Sequence, residues 1–171
     1  QPDEDLFIEY FNQHPEVKLV IAPHVIDENH LVEIIRKLKR PYVRYTRADE
    51  KNVRKADCLI IDCFGLLSSI YRYGEIAYIG GGFGVGIHNT LEAAVYGIPV
   101  IFGPKYQKFQ EAIQLLEAKG AFSVKDYEEL KTLIDRMLTD EVFLRESGMN
   151  ASNYVTGNAG ATDKIMSMIN F

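Results

Sequence analysis

The chain has 171 residues, of which 47% are hydrophobic and 25% charged, and it carries a formal net charge of −5. This length and composition predict one globular domain that buries a substantial core. The acidic balance, without a basic stripe to neutralise phosphates, argues against nucleic acid as the main partner.

The sequence has no run of the ~18–20 apolar residues that a membrane span requires, and its start has no signal-peptide pattern. It begins Gln1-Pro-Asp-Glu-Asp without a methionine, so we expect a fragment of a longer protein. Cys58 and Cys63 flank or occupy one predicted strand, where neighbouring positions are poorly placed to form a disulfide with each other. A reducing cytosol therefore fits best.

Helical and extended patterns alternate along the chain. Strands are predicted at the short apolar runs Val17–Ala22, Tyr42–Tyr45, Leu59–Ile61, Ile76–Ile79, Ile98–Phe102 and Phe122–Val124. Helices are predicted around Leu6–Phe11, Leu31–Leu38, Gly65–Tyr71, Asn89–Tyr96, Gln107–Ala118 and Tyr127–Leu138, with two more after Glu141, broken near Gly157–Gly160. Asp27 is a candidate N-cap of the second helix.

Continuous apolar strands that alternate with helices are typical of a parallel sheet covered on both faces. We therefore predict an α/β fold, a Rossmann-like parallel sheet flanked by helices. Ligands of such sheets bind outside the carboxyl ends of the strands. Four loops fall there: Pro23-His24, Asp62–Gly65, Gly80–Gly86 and Gly103-Pro104.

The most informative of these loops is Gly80–Gly86, which contains five glycines and leads into His88-Asn89-Thr90-Leu91-Glu92. Glycines let the backbone approach a ligand, and a helix N-terminus favours an anion. Glu92, one turn into the predicted helix, is placed to accept hydrogen bonds from sugar hydroxyls. These features predict a site for a phosphate-linked sugar nucleotide; the alternative is that the glycines only form a tight turn.

Two common phosphate-binding motifs are absent from this region. No register of Gly80–Gly86 satisfies G-x-G-x-x-G, and Gly103 is followed by Pro104 where a P-loop has Lys-Ser/Thr. A dinucleotide-dependent enzyme or a P-loop ATPase is therefore disfavoured.

Several motifs resemble the C-terminal half of 3-deoxy-D-manno-octulosonic acid (Kdo) transferases, two-domain GT-B glycosyltransferases of lipopolysaccharide synthesis. The Gly-rich loop followed by His-Asn-x-Leu-Glu is the specific part of the resemblance. The matching segments follow the expected order over nearly the whole chain: Ile21–His24, Ile61–Leu67, Tyr71–Phe83, His88–Glu92, Gly97–Pro104, Phe109–Glu111 and Asn158–Ala161.

The resemblance implies the donor-binding domain of an enzyme that moves Kdo from CMP-Kdo to a lipid A precursor, without a metal or other cofactor. It places the precursor and the catalytic base on an N-terminal domain outside this chain, so no catalytic residue is expected here. The full-length protein would act at the cytoplasmic face of the bacterial inner membrane, whereas this fragment would be soluble. The expected partners are thus the nucleotide-sugar donor and, through the other domain, the lipid A precursor.

The resemblance also implies that three groups of residues contact CMP-Kdo, with Glu92 on the ribose hydroxyls. These are Pro23, His24 and Val25; Phe64, Gly65 and Leu66; and Gly81, Gly82, Phe83, His88, Asn89, Thr90, Leu91 and Glu92.

The chain departs from the family pattern at three of its loops. Pro23-His24-Val25 stands where the family often has Pro-Arg-His-Pro, Leu66 replaces a glutamate, and Lys105 replaces a histidine that often follows Gly-Pro. These changes alter the charges that would face the donor.

Other functions remain open from the residues alone. A non-catalytic nucleotide-sensing α/β module is one, and a UDP-sugar GT-B transferase or a hexosamine epimerase is another. His24 and His30 with Asp27 and Glu28 hint at a metal, but their spacing suits no usual zinc pattern, so loop and capping roles are preferred.

Overall fold

The structure, a computed structural model, describes residues 2–158. Its strands are β1 Leu19–Ile21, β2 Tyr42–Arg44, β3 Cys58–Ile60, β4 Ala77–Ile79, β5 Val100–Phe102 and β6 Ala121–Ser123. Its helices are α1 Pro2–Gln13, α2 Glu28–Lys37, α3 Glu50–Val53, α4 Leu67–Ile70, α5 Leu91–Ala94, α6 Gln110–Glu117, α7 Tyr127–Thr139 and α8 Glu141–Asn158, and 3-10 turns occupy Tyr45–Arg47 and Tyr71–Tyr73.

All strand pairs are parallel, and they form two three-stranded sheets. The first sheet has the order β1-β3-β2 and the second the order β4-β5-β6. β5 is fully buried, as expected for a central strand covered on both faces. The predicted Rossmann-like α/β architecture is confirmed, with the division into two sheets as an added feature.

Side-chain caps explain where several helices begin. The predicted N-cap Asp27 is confirmed, since its carboxylate accepts the backbone N–H of His30 at 3.1 Å. Asp126 caps α7 in the same way through Glu129. A carboxylate at this position satisfies an otherwise unpaired N–H at the helix start.

Helix α1 connects the two sheets. Phe7 packs against the apolar cores of both, and its ring lies 5.5 Å from that of Tyr78 on β4. Tyr10 donates a hydrogen bond to Asp135 of α7 at 2.8 Å. Because α1 contacts elements of both halves, it positions the carboxyl ends of their strands relative to each other.

The structure differs from the predicted helices at two places. The helix predicted at Asn89–Tyr96 is only the four-residue α5, because Asn89 and Thr90 lie before its first turn. α3 was not predicted, although Asp49 and Asn52 form a capping box around it. α8 runs unbroken to Asn158, and the rest of the expected break near Gly157–Gly160 lies outside the described residues.

Within the described part, none of the helices combines the length and apolar character of a membrane span. Cys58 and Cys63 are both free thiols, as expected from their positions.

Candidate functional site

The loops after β1, β4 and β5 meet at one rim of the molecule. The ring of His24, after β1, stacks on that of His88, after β4, with centroids 4.5 Å apart. The backbone N–H of Lys105, after β5, donates to the carbonyl of Gly82 at 3.0 Å. The predicted convergence is therefore confirmed for these three loops.

The loop Gly80–Gly86, called the glycine loop below, is held by hydrogen bonds between its own backbone groups. Gly84 and Gly86 both donate backbone N–H bonds to the carbonyl of Gly81, at 2.9 and 3.1 Å. Gly81 has φ +94°, a conformation that L side chains rarely adopt. Gly86, at φ +141°, also has a positive φ, so Gly81 and Gly86 are both required as glycines by the local structure of the loop.

Gly82 is required for a different reason, which is close backbone packing. A Cβ on Gly82 would overlap the backbone of Gly103, with the carbonyl carbon of Gly103 only 2.9 Å away. A Cβ on Gly80 would meet nothing within 4 Å. The turn interpretation thus accounts for Gly81 and Gly82, whereas the open space at Gly80 is unexplained by packing.

The histidine pair is the most distinctive side-chain feature of the rim. Both imidazoles are exposed, and their planes differ by 23°. The pKa of His88 is lowered, first because neighbouring groups partly shield it from water and second because of His24, while the carboxylate of Asp3 opposes the shift. His88 is therefore mostly neutral at pH 7, and it gains a proton only where a nearby anion raises its pKa again.

Asp3 belongs to this site, although its position in the sequence did not indicate that. Its side chain is buried beneath the glycine loop, where it accepts a hydrogen bond from the Tyr78 hydroxyl at 3.1 Å. It also accepts the backbone N–H of Phe83 at 3.4 Å. The apolar pattern of α1 predicted only a packed helix, and a contact across 80 residues of chain has no local signal.

The segment from Asn89 to Glu92 forms its own hydrogen-bonded turn. Asn89 accepts the backbone N–H of Leu91 and donates its side-chain amide to Glu92, both at 3.0 Å. Thr90 is buried, and its hydroxyl has no hydrogen-bond partner among the described residues. Asn89 thus forms an Asx turn just before α5, whose N-cap residue is Thr90, and it holds the Glu92 carboxylate.

The environment of Glu92 includes Tyr71. Burial raises the pKa of Tyr71 to about 12, and the negative charge of Glu92 adds to the increase. Because α5 has only four residues, its N-terminus is a weaker anion site than the predicted longer helix. Hydrogen bonding by Glu92 and Asn89 is therefore the main contribution that this segment offers.

The loop after β3 exposes an aromatic side chain to solvent. Phe64 is 84% exposed and Gly65 has φ +87°. No described contact joins Phe64, Gly65 or Leu66 to the glycine loop. Their predicted contact with a ligand thus requires the ligand to reach across the rim.

Asp62 anchors that loop. Burial would raise the pKa of this carboxyl, but hydrogen bonds from Thr46 and Arg44 outweigh burial and lower the pKa to about 2. The Arg44 guanidinium donates to Asp62 at 2.8 Å and also binds Glu28. Asp62 is therefore an ionised carboxylate whose hydrogen bonds fix the start of this loop.

The remaining predicted residues lie at the rim with different exposure. Pro23 is buried, Val25 is 46% exposed, and Leu91 is 36% exposed. Contacts thus join the groups after β1 and β4, whereas the Phe64 group follows β3, which pairs with β1 in the first sheet, and the contacts of all three groups with a ligand remain predictions.

The described residues include no cluster of three or more His, Cys, Asp or Glu side chains suited to hold a metal ion. His30 instead bonds Glu4 at 2.8 Å, and Asp27 caps α2. Capping therefore accounts for Asp27, whereas Glu28 forms an ion pair with Arg44 and His24 stacks on His88.

Curated proteins similar to this chain were found in several bacteria. The 3-deoxy-D-manno-octulosonic acid transferase of Aquifex aeolicus is 35% identical over 135 residues, covering 78% of this chain and 37% of that protein. The transferase of the same name from Chlamydia muridarum is 29% identical, and the match covers 78% of this chain and 31% of that protein. A bifunctional glycosyltransferase/methyltransferase of Fusobacterium nucleatum is 27% identical, and the match covers 90% of this chain and 26% of that protein. The chain thus spans between 26% and 37% of these relatives.

Two solved structures share the fold. The C-terminal CMP-Kdo binding domain of WaaA from Acinetobacter baumannii superposes with a TM-score of 0.76 at 19% identity, covering 90% of this chain and 83% of that one. The C-terminal domain of the group 1 glycosyl transferase LpcC from Francisella tularensis superposes with a TM-score of 0.60 at 16% identity. The match covers 91% of this chain and 76% of that one. No protein-family model matches the chain.

The chain is therefore related to the Kdo transferases, which are glycosyltransferases, and it has the fold of a GT-B C-terminal domain.

Proposed function

We propose that this chain, a relative of the Kdo transferases, is the donor-binding domain of a glycosyltransferase that moves Kdo from CMP-Kdo to a lipid A precursor. The observation that carries the proposal is the meeting of three loops at one rim, marked by the stacked rings of His24 and His88. Support for the donor comes from the names of the relatives and from the CMP-Kdo binding domain that shares the fold.

The proposed binding mode follows from the chemistry of the rim. The ribose hydroxyls of the nucleotide would donate to Glu92, which Asn89 holds in place. The phosphate would approach the histidine pair and the open space above Gly80. The exposed ring of Phe64 would contact the donor from the opposite side of the rim.

The proposed catalysis relies on electrostatic stabilisation of the departing CMP phosphate. Fixed backbone N–H groups and a protonated imidazole would stabilise negative charge as the glycosidic bond to phosphate breaks. No metal is required in this scheme. The base that deprotonates the acceptor hydroxyl, and the contacts with the lipid A precursor, are assigned to another domain of the full-length enzyme, which would act at the cytoplasmic face of the inner membrane.

Calorimetric titration of the chain with CMP, UMP, UDP and ADP tests the proposal. A preference for CMP, strengthened with CMP-Kdo, is the expected result. Preference for UDP would favour a UDP-sugar transferase or epimerase, and preference for ADP, or no nucleotide binding, would favour a non-catalytic module.

A further inference from the structure

A cleft beside the glycine loop has no role in the nucleotide contacts described above. It lies between the glycine loop and the segment after β5, and its volume is about 300 Å³. The lining residues are Gly84, Val85, Lys105, Gln107, Lys108 and Phe109. This volume is at the lower end of the range for small-molecule sites, about 300–1,000 Å³, so the cleft suits a single sugar better than a whole nucleotide sugar.

The walls of the cleft are held in place by hydrogen bonds. The ammonium group of Lys105 donates to the carbonyl of Gly84 at 2.8 Å, and its backbone N–H donates to Gly82 at 3.0 Å. The side chain of Gln107 donates to the carbonyl of Pro104 at 2.8 Å. Phe109 packs so closely on Gly86 that a Cβ there would lie 2.9 Å from its ring. The cleft is thus built before any ligand arrives.

The charge of the cleft is positive and uncompensated. In the described part of the chain, neither Lys105 nor Lys108 forms an ion pair with a carboxylate. Both side chains are exposed, although the protein as a whole carries a formal net charge of −5. Two lysines without acidic partners at a preformed cleft favour an anionic ligand.

We propose that this cleft binds the carboxylate of an acidic sugar through Lys105 and Lys108. The proposal rests on the proposed function, because the transferred sugar of a Kdo transferase is an octulosonic acid and therefore carries a carboxylate. The phosphate of the donor is assigned to the histidine pair and Gly80, which leaves the two lysines for the sugar end. Lys108 has three hydrogen-bond donors and no described partner, and Lys105 keeps two donors beside its bond to Gly84, so both ammonium groups can bind the carboxylate.

Calorimetric titration of CMP-Kdo and of CMP into lysine variants tests the proposal. Lys108→Gln and Lys105→Gln should each weaken CMP-Kdo binding about tenfold, the effect of one charge-assisted hydrogen bond. The affinity for CMP, which lacks the sugar, should change less than about twofold in the same variants. Lys105→Arg keeps the positive charge and should retain most of the affinity for CMP-Kdo.

The matched control is Lys55→Gln, because Lys55 is an exposed lysine that precedes β3 at the opposite end of the strands. Circular dichroism should show every variant folded, and Lys108→Gln removes no described hydrogen bond. Equal losses for CMP and CMP-Kdo would assign the lysines to the phosphate and overturn the sugar-acid assignment. Unchanged affinity for both ligands would overturn the site.

Free Kdo and inorganic phosphate separate this proposal from the proposed function. If the wild-type chain binds neither CMP nor CMP-Kdo, the proposed function fails while the cleft is still testable. Binding of free Kdo that is lost in Lys108→Gln would then support the cleft, whereas absent binding, or equal binding of phosphate at the same lysines, would contradict it.

Discussion

His24 and His88 stack across the boundary between the two sheets, with ring centroids 4.5 Å apart. His24 follows β1 of the first sheet, and His88 follows β4 of the second. The contact therefore joins the two halves of the fold at the rim where strands end. The affinity of a ligand that binds both rings therefore depends on the relative position of the two sheets.

The first prediction concerns protons and the histidine pair. Because the pKa of His88 is lowered, the ring is neutral at pH 7 and must gain a proton to pair with an anion. CMP-Kdo binding should therefore take up protons and strengthen as pH falls from 7 to below the usual histidine pKa of about 6.5, because the pKa of His88 in the unbound chain is lowered. Titrations in buffers of different ionisation enthalpy measure the uptake directly. A phosphodiester donor is preferred to CMP, whose own phosphate titrates in this range.

The controls for this prediction use the other histidines. His88→Asn should abolish the proton uptake and flatten the pH dependence, and His24→Asn should reduce both. His14→Gln should leave them unchanged, because His14 stacks on Tyr10 and bonds its carbonyl at 2.7 Å. Proton uptake that persists in His88→Asn would exclude the pair as its source.

The second prediction concerns Glu92. Glu92→Gln should weaken nucleotide binding by about 1.5–3 kcal/mol, the contribution of hydrogen bonds to a charged group. Stability should change little, since the side chain is half-buried and its described hydrogen bond comes from Asn89. Calorimetry with CMP measures the effect, and Glu117→Gln, at an exposed position of α6, is the control. Wild-type affinity in Glu92→Gln would remove Glu92 from the site.

The third prediction separates two roles of the glycine loop. Gly82→Ala should destabilise the fold by about 1–3 kcal/mol, because the added methyl group overlaps the backbone of Gly103. Gly80→Ala should fold normally, since its methyl group meets nothing within 4 Å, and yet should weaken CMP binding. Urea unfolding and calorimetry measure the two effects. A Gly80→Ala variant with wild-type affinity would show that no ligand approaches the backbone there.

The fourth prediction concerns Asp62 and acid stability. Its pKa of about 2 lies below the usual value for aspartate, so its contribution to stability is present above about pH 4 and is lost as pH falls toward 2. Asp62→Asn should lower the free energy of unfolding at pH 7 by about 2–4 kcal/mol, because Arg44 loses its buried partner. The difference from wild type should shrink as the pH approaches 2.

Urea unfolding at pH 7, 4 and 2.5 checks the fourth prediction. Asp27→Asn is the matched control, because asparagine caps a helix about as well as aspartate. An Asp62→Asn difference that is constant across this pH range would contradict the linkage to Asp62.

The order of strands and most helices was predictable because continuous apolar runs alternate with amphipathic segments. The split into two sheets was not, since strand pairing such as Val20 with Leu59 joins distant parts of the chain. α5 begins later than the pattern suggested because Asn89 forms an Asx turn with the backbone N–H of Leu91, a local hydrogen bond that competes with helix formation. Asp3 was missed because its partners, Tyr78 and Phe83, are set by packing of α1 and not by local sequence.

The last prediction concerns the activity of these 171 residues by themselves. GT-B enzymes align donor and acceptor across a cleft between two domains, and such alignment supplies much of the rate enhancement. The chain covers 37% of the Aquifex aeolicus relative, and the carboxylates that the rim presents are already assigned to binding or structure: Glu92 to ribose, Asp3 to Tyr78 and Asp62 to Arg44. We therefore expect this chain to bind CMP-Kdo weakly and to transfer no Kdo to a lipid A precursor, with or without added divalent metal. Thin-layer analysis of labelled product after incubation with donor and precursor measures transfer. Turnover by this chain would place the catalytic base among its own residues and would contradict the assignment of catalysis to a second domain.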